Sequence, residues 1–296
     1  MKDIYDRIFK KILTLSSTAV SNLINGLFDT DYPPDSTITY NWTEFESDSL
    51  KRTLADTILT INGHSYHLEA QMTEDESIIF RVFDYGYRHA ELTATASGNT
   101  LVFPEPRIIY LYTASPAPDE YTLRLDFGTQ GSFNYTVKTF KYLEASTEEI
   151  NRKKMIILIP FSLLKLRDRL TKRHRGNFSS EELDSLKNLI KNDIMSSIES
   201  NYRLGNINEE DYRKLLRLVQ KLFEHIYNAV GIYEEDVDMD MSIILPEDIA
   251  EMKQKEIDKL REEMEEMRAE HATEVDVMRA EIETLRKQLN AKRDGE

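Results

Sequence analysis

From Ile4 to Asn25 apolar residues recur at spacings of three and four, through Ile8, Ile12, Leu15, Ala19 and Leu23, which predicts one amphipathic helix with Arg7, Lys10 and Lys11 on its polar side. Pro33 and Pro34 end it and begin extended chain. The pattern then turns to alternation. Thr37–Phe45, Leu54–Ile61 and His64–Gln71 read as strands, the last two joined by Asn62-Gly63. Asn-Gly between alternating runs is the strongest short-range hairpin signal, because a type I′ turn needs positive φ at both central residues. Thr73-x-x-Glu76 has the form of a capping box, opening a helix through Ile79, Val82, Phe83, Tyr87 and Ala90 that ends near Ser97-Gly98-Asn99.

Further along, Arg107–Thr113, apolar between its two end residues, and Met155–Ile159 are short runs of the kind found in strands buried on both faces. Tyr121–Phe127 and Asn134–Leu143 alternate and predict a second hairpin. The remainder is helical in pattern. Leu163–Leu170 is short and basic, Ser179-x-x-Glu182 caps a helix reaching about Tyr202, and Asn208 caps another that ends at Gly231. An acidic linker follows, from Glu234 to Asp240. Beyond Pro246, Ile257, Leu260, Met264 and Met267 fit one a/d pattern, and Val275, Met278, Ile282, Leu285 and Leu289 a second, with a stutter between them. A coiled coil is the expectation; a single charged helix is the alternative.

Composition narrows the function classes. The 296 residues are 40% hydrophobic, enough to bury a core, which excludes global disorder. The net charge of −15 excludes indiscriminate coating of nucleic acid, so any such contact needs a local basic patch. Absent cysteine excludes disulfides, thiolate metal sites and cysteine nucleophiles. Acidic residues among Met1–Asp6 stand where a signal peptide needs an apolar run, and the longest apolar stretch is about half a membrane span. The expectation is a soluble, cytoplasmic protein without a membrane segment.

The first hairpin carries candidate chemistry. With a two-residue tip, Ile61 pairs with His64, and counting back sets Asp56 opposite Glu69, with Cβ atoms ~5 Å apart. Opposed like charges destabilise a sheet unless a cation lies between them, and two convergent carboxylates suit a hard divalent ion such as Mg²⁺. Such an ion activates water and neutralises charge on a phosphate under attack. The bland reading is that both acids line a solvated face; against it, Asp56 interrupts an otherwise apolar run, Leu54–Leu59. Alternation puts His67 and Gln71 on the face of Glu69, and Tyr66, Leu68 and Ala70 on the other. His64 and His67 therefore fall on opposite faces, and His67 reads as an ordinary exposed strand histidine. Arg81, Tyr85 and Arg88 share one helix face. Arg81 is a candidate to pin a phosphate or to hold Glu69, and Arg88 a surface ion pair.

Asp56, Glu69-Ala70-Gln71, Arg81 and Tyr85, with Asp6-Arg7-Ile8-Phe9-Lys10 and Asp211–Leu216, together resemble the recombination-promoting nuclease and putative transposase family of the PD-(D/E)xK nuclease superfamily. The resemblance spans roughly residues 1–230. It implies an α/β, restriction-endonuclease-like core with a mixed central sheet flanked by helices, ordered helix, three strands, helix, strand. Asp56 and Glu69 would be metal ligands in a Mg²⁺-dependent (or Mn²⁺-dependent) DNA endonuclease linked to recombination or transposition. The expected layout is a nuclease-like core over 1–160 and a helical extension over 161–232, followed, outside the resemblance and read from charge and a/d spacing, by an acidic linker over 233–246 and a coiled coil over 247–292 that makes a homo-oligomer. Ala55 replaces the motif proline. Gln71 replaces the motif lysine, and an amide can orient water or phosphate but brings no charge. That charge would pass to Lys10, Arg52 or Arg81.

Between Arg152 and Arg175 stand nine basic residues against Asp168 alone. Such a reversal inside an acidic chain is what backbone-phosphate contact needs. Lys153, Lys154, Arg167, Lys172, Arg173 and Arg175 of this segment, and Lys10 outside it, are the candidate DNA contacts; a solvated helix face is the plain alternative. The competing function is a nuclease-fold protein whose catalysis has decayed, acting as an oligomeric DNA-binding or interaction scaffold.

Overall fold

A computed structural model describes residues 2–41, 44–45, 53–54, 57–72, 75–94, 99–112, 117–173 and 178–237. The chain divides into two units, Met1–Met239 and Asp240–Glu296. The second unit, with the predicted coiled coil over 247–292, lies outside the described residues, as do Arg52, Asp56 and Thr73.

The first unit is mixed α/β. Helices α1 (Lys2–Ile12) and α2 (Ser17–Phe28) precede strand β1 (Ile38–Asn41), the short pair β2 (Glu44–Phe45) and β3 (Thr53–Leu54), and strands β4 (Thr57–Ile61) and β5 (His64–Gln71). Helix α3 (Ile78–Thr93) leads into β6 (Glu105–Tyr110), followed by the hairpin β7 (Glu120–Asp126) and β8 (Ser132–Lys141). The six long strands form one sheet in the order β1-β4-β5-β6-β8-β7. Pairing is antiparallel from β1 through β5, parallel from β5 to β6 and β6 to β8, and antiparallel again between β8 and β7. Thus β5, α3 and β6 make a crossover unit.

The turn chemistry that predicts the first hairpin is present. Asn62 and Gly63 have φ of 49° and 85°, as a type I′ turn requires. The described pairs run from Ile61↔His64 to Thr57↔Leu68, the predicted register. The second predicted hairpin also forms, as β7 and β8. Two predicted strands are each divided: β2 and β3 pair with one another in a separate two-stranded sheet.

Both faces of the sheet are covered. On one, Ile78, Ile79 and Val82 of α3 pack against Ile108, Tyr110 and Val137. On the other, Phe28 at the end of α2 stacks 4.6 Å from the Tyr66 ring, and the Arg107 guanidinium lies 4.8 Å over Phe28.

The remaining elements are α4 (Thr147–Arg152), a 3₁₀ helix over Ile156–Leu163, α5 (Leu164–Arg173), α6 (Ser180–Asn188), a π-helical stretch over Leu189–Met195, α7 (Ser196–Arg203) and α8 (Glu209–Tyr227). A capping box opens α6 at Ser179/Glu182 as its spacing predicts, and Asn208 caps α8 as expected, with Asp211 completing a second box.

Four expectations change. The run predicted as a strand at Met155–Ile159 is instead the 3₁₀ helix, fully buried; an apolar run with no period does not distinguish a buried strand from a buried helix. Tyr142 and Tyr227 anchor it through Ser162 Oγ at 2.8 Å and Leu163 O at 2.6 Å. The single N-terminal helix is two, because Ser16 caps α2 by accepting from Ala19 N–H. Ser16 is held there by the buried Asp211 carboxylate, which accepts from its backbone N–H at 2.9 Å and from its hydroxyl. Helix α3 opens at Ile78 rather than after Thr73, with Asp75 Oδ1 accepting from Ser77 N–H and Oγ, and it ends at Thr93. The stretch read as linker from Glu234 begins with a 3₁₀ turn, Glu234–Val237, and Val237 is buried.

Candidate functional site

Alternation along β5 points Ser65, His67, Glu69 and Gln71 toward α3. Helix α3 answers with Arg81, Tyr85 and His89. Arg81 Nε donates to Glu69 Oε1 at 3.0 Å and Nη2 donates to the same oxygen. The Tyr85 ring lies 6.1 Å from that of His67, and His89 Nε2 is 3.4 Å from Ser65 Oγ. The match is geometric: four residues of helix rise about 6 Å, and two residues of strand about 6.7 Å. The helix runs back along the strand, so each step of four meets a step of two. The result is a polar ladder inside the molecule.

Glu69 sits at its centre, 1% exposed. Burying a carboxylate is expensive unless it is paired. Here Oε1 takes both Arg81 donors and Gln71 Nε2 at 2.8 Å. Oε2 is buried and has no hydrogen-bond partner among the described residues. The same holds for Gln71 Oε1 and for both ring nitrogens of His67. Arg81 is held from its other side by Asp75 Oδ2 at 2.6 Å. Burial would lower the Arg81 pKa, but Glu69 and Asp75 outweigh it and hold the guanidinium firmly charged. Burial would raise the Asp75 pKa; hydrogen bonds from Ser77 and Arg81 reverse this and set it below the usual range. His67 is pushed down to about 4, chiefly by burial, with Glu69 opposing and His89 and Arg81 assisting.

The sequence-predicted residues fall as follows. Glu69, Gln71 and Arg81 come together. Asp56 lies outside the described residues. Tyr85 is in the ladder, while Arg88 forms an i,i+4 ion pair with Asp84 at 3.0 Å, as expected of a surface residue. His67 is not an exposed strand histidine: it is 1% exposed, because α3 covers its face of the sheet. His64 is exposed, 3.3 Å from Glu105.

Among the basic candidates, Lys10 pairs with Asp6 at 3.2 Å. Lys153 Nζ donates to Gly26 O at 3.0 Å and lies 3.3 Å from Asp29. Arg152, Lys153 and Lys154 line a cavity of about 590 Å³ together with α2 and residues 29–34. Tyr32 of that cavity bonds the Tyr66 hydroxyl at 2.7 Å, which puts this wall on the sheet face opposite Glu69. Arg167 lies on α5, while Arg175 and the side chains of Lys172 and Arg173 lie outside the described residues.

Sequence reading missed Asp75 and His89. Asp75-x-Ser77 ahead of an apolar run is a recognisable local bonding pattern, and His89 stands four residues beyond Tyr85. Among the described residues, no three His, Cys, Asp or Glu side chains cluster as a complete metal site. Nor is any of their helices long and apolar enough to cross a membrane. No family model, curated protein or solved structure matches the chain.

Proposed function

We propose that this protein is a metal-dependent DNA endonuclease of the PD-(D/E)xK type, similar to the recombination-promoting nucleases. The observation that carries the reading is Glu69: a buried carboxylate fixed through one oxygen, with the other oxygen unpartnered among the described residues. An unsatisfied buried acceptor costs about 1–3 kcal/mol, and a site that binds a cation is a reason to retain one. Two features of the fold support it. Apart from the extra helix α1 and the separate β2–β3 pair, α2, the antiparallel strands β1, β4 and β5, α3 and the parallel strand β6 follow the order of the resemblance. The described hairpin pairs also keep the count on which the opposition of Asp56 and Glu69 rests.

In this reading Asp56 and Glu69 hold Mg²⁺ or Mn²⁺, which supplies an activated water and charge neutralisation at the phosphodiester. Arg81 fixes the orientation of Glu69, and Gln71 holds Glu69 Oε1. The substrate is DNA, the 152–175 segment contributes phosphate contacts, the 247–292 segment joins copies of the chain, and the protein works in the cytoplasm in recombination or transposition.

One observation favours the second reading, a decayed core that binds DNA without cutting it. Gln71 brings no charge, and the Arg81 cation is already matched by Glu69 and Asp75. Nicking of supercoiled plasmid by the purified full chain in Mg²⁺, Mn²⁺, Ca²⁺ and EDTA separates the two, run beside Asp56→Ala, Glu69→Ala and Glu69→Gln with circular dichroism as the folding control. Metal-dependent nicking lost in the folded variants is the expected result. DNA binding with no nicking in any metal would overturn the nuclease reading and support the decayed core.

A further inference from the structure

The ladder contains a group that a two-carboxylate site does not use. His67 is 1% exposed, and both of its ring nitrogens lack a hydrogen-bond partner among the described residues. A neutral imidazole carries one N–H and one lone pair, and buried groups of this kind are nearly always satisfied. Two residues along the same face, Glu69 Oε2 is in the same condition. Residues i and i+2 of a strand stand about 6.7 Å apart, side by side. Both side chains can reach one ion held between them from that spacing.

The neighbours leave little else for His67 to do. Tyr85 approaches it ring to ring, at 6.1 Å and 57°. Arg81 is directed at Glu69 and Asp75. His89 is directed at Ser65.

We propose that His67 is a nitrogen ligand to the divalent cation held by Glu69, and that it makes the site prefer Mn²⁺ to Mg²⁺. This rests on the metal-dependent reading above. Mg²⁺ takes oxygen ligands and gives up its waters reluctantly, whereas an imidazole–carboxylate set suits a first-row transition ion. Gln71 Oε1, buried beside them, is an acceptor for the waters such an ion keeps.

The test uses Mn²⁺ alone with the full-length protein. Pulsed electron paramagnetic resonance of the bound ion should show the nuclear coupling of a directly bound imidazole nitrogen. The coupling should persist in His64→Gln, which alters an exposed histidine on the other face, and vanish in His67→Gln. Mn²⁺ affinity in His67→Gln should fall about tenfold or more, with Mg²⁺ affinity changing far less. Bound Mn²⁺ without nitrogen coupling in the unaltered protein would overturn this proposal alone, whatever the variants do. Coupling that survives in His67→Gln would overturn it too. Failure of Mn²⁺ to bind the unaltered protein at all would overturn the metal-dependent reading, and this proposal with it.

Discussion

Replacing Arg81 by Met tests whether the ion pair at the centre of the ladder holds Glu69 in place. The substitution keeps the aliphatic stem and removes the guanidinium. Glu69 is then left 1% exposed with one neutral donor, Gln71 Nε2. Breaking a buried pair by removing one partner costs about 3–5 kcal/mol, because the remaining charge is uncompensated. The Arg81 side chain keeps 28% exposure, so water replaces part of what is lost, and the expected cost lies at the low end, about 3 kcal/mol. For a unit of this size that is a drop of roughly 6–12 °C in the unfolding midpoint. The pair Glu69→Gln/Arg81→Met removes both charges of this pair; Asp75 still loses Arg81 and keeps only its Ser77 bonds, so the double variant should recover part of the loss. Urea unfolding of the four proteins, followed by circular dichroism, closes the double-mutant cycle. A cost below about 1 kcal/mol for Arg81→Met, or additive losses in the double variant, would refute the argument that this charge pair is buried and coupled.

Three further outcomes are expected. His67, faced by Glu69, Arg81 and His89, has its pKa lowered from 6.5 to about 4; the unfolded chain therefore takes up a proton before the folded one does. The His67 contribution should be nearly constant above pH 6.5 and fall by about 3 kcal/mol by pH 4, and His67→Gln should remove that share of the pH dependence, leaving the shares of His89 and His225, whose pKa values burial also lowers. Urea titrations at pH 7 and pH 4 in EDTA measure it, and equal pH slopes in the two proteins would contradict it. Gly26→Ala should destabilise by roughly 1–3 kcal/mol despite the better helix propensity of alanine. The new methyl would meet Met155 Cγ at 2.4 Å and the backbone oxygen of Lys153 at 2.8 Å, and the backbone cannot swing aside. A chain ended after Met239 should keep its cooperative melt, since Met1–Met239 forms a compact unit; loss of the transition in calorimetry would show that it depends on the rest of the chain.

The local features were legible because local chemistry dictates them. Asn62-Gly63 leaves the backbone little choice but a tight hairpin, and that fixed the register of β4 and β5. The Ser179/Glu182 spacing and the Asn208 cap set where two helices begin. What escaped was set from far away. The break before α2 depends on Asp211, 195 residues distant, and apolar spacing carries straight through it. The burial of His67 depends on α3 crossing over β5. Alternation says which face a residue is on, but only the tertiary packing says whether that face meets water.

The ladder nevertheless has a sequence signature when its two halves are read together. Ser65, His67 and Glu69 repeat every two residues, and Arg81, Tyr85 and His89 repeat every four. Those periods are commensurate only when a helix lies along a strand, and the charge order decides its direction. Arg81, first on the helix, meets Glu69, last of the three on the strand, so α3 must run back antiparallel to β5 before β6 begins. A slip of one helical turn would set Arg81 against His67 and leave Glu69 without a cation. The Glu69–Arg81 pair therefore fixes the register of the crossover, and with it the orientation of Glu69 Oε2, the oxygen of that carboxylate without a hydrogen-bond partner among the described residues.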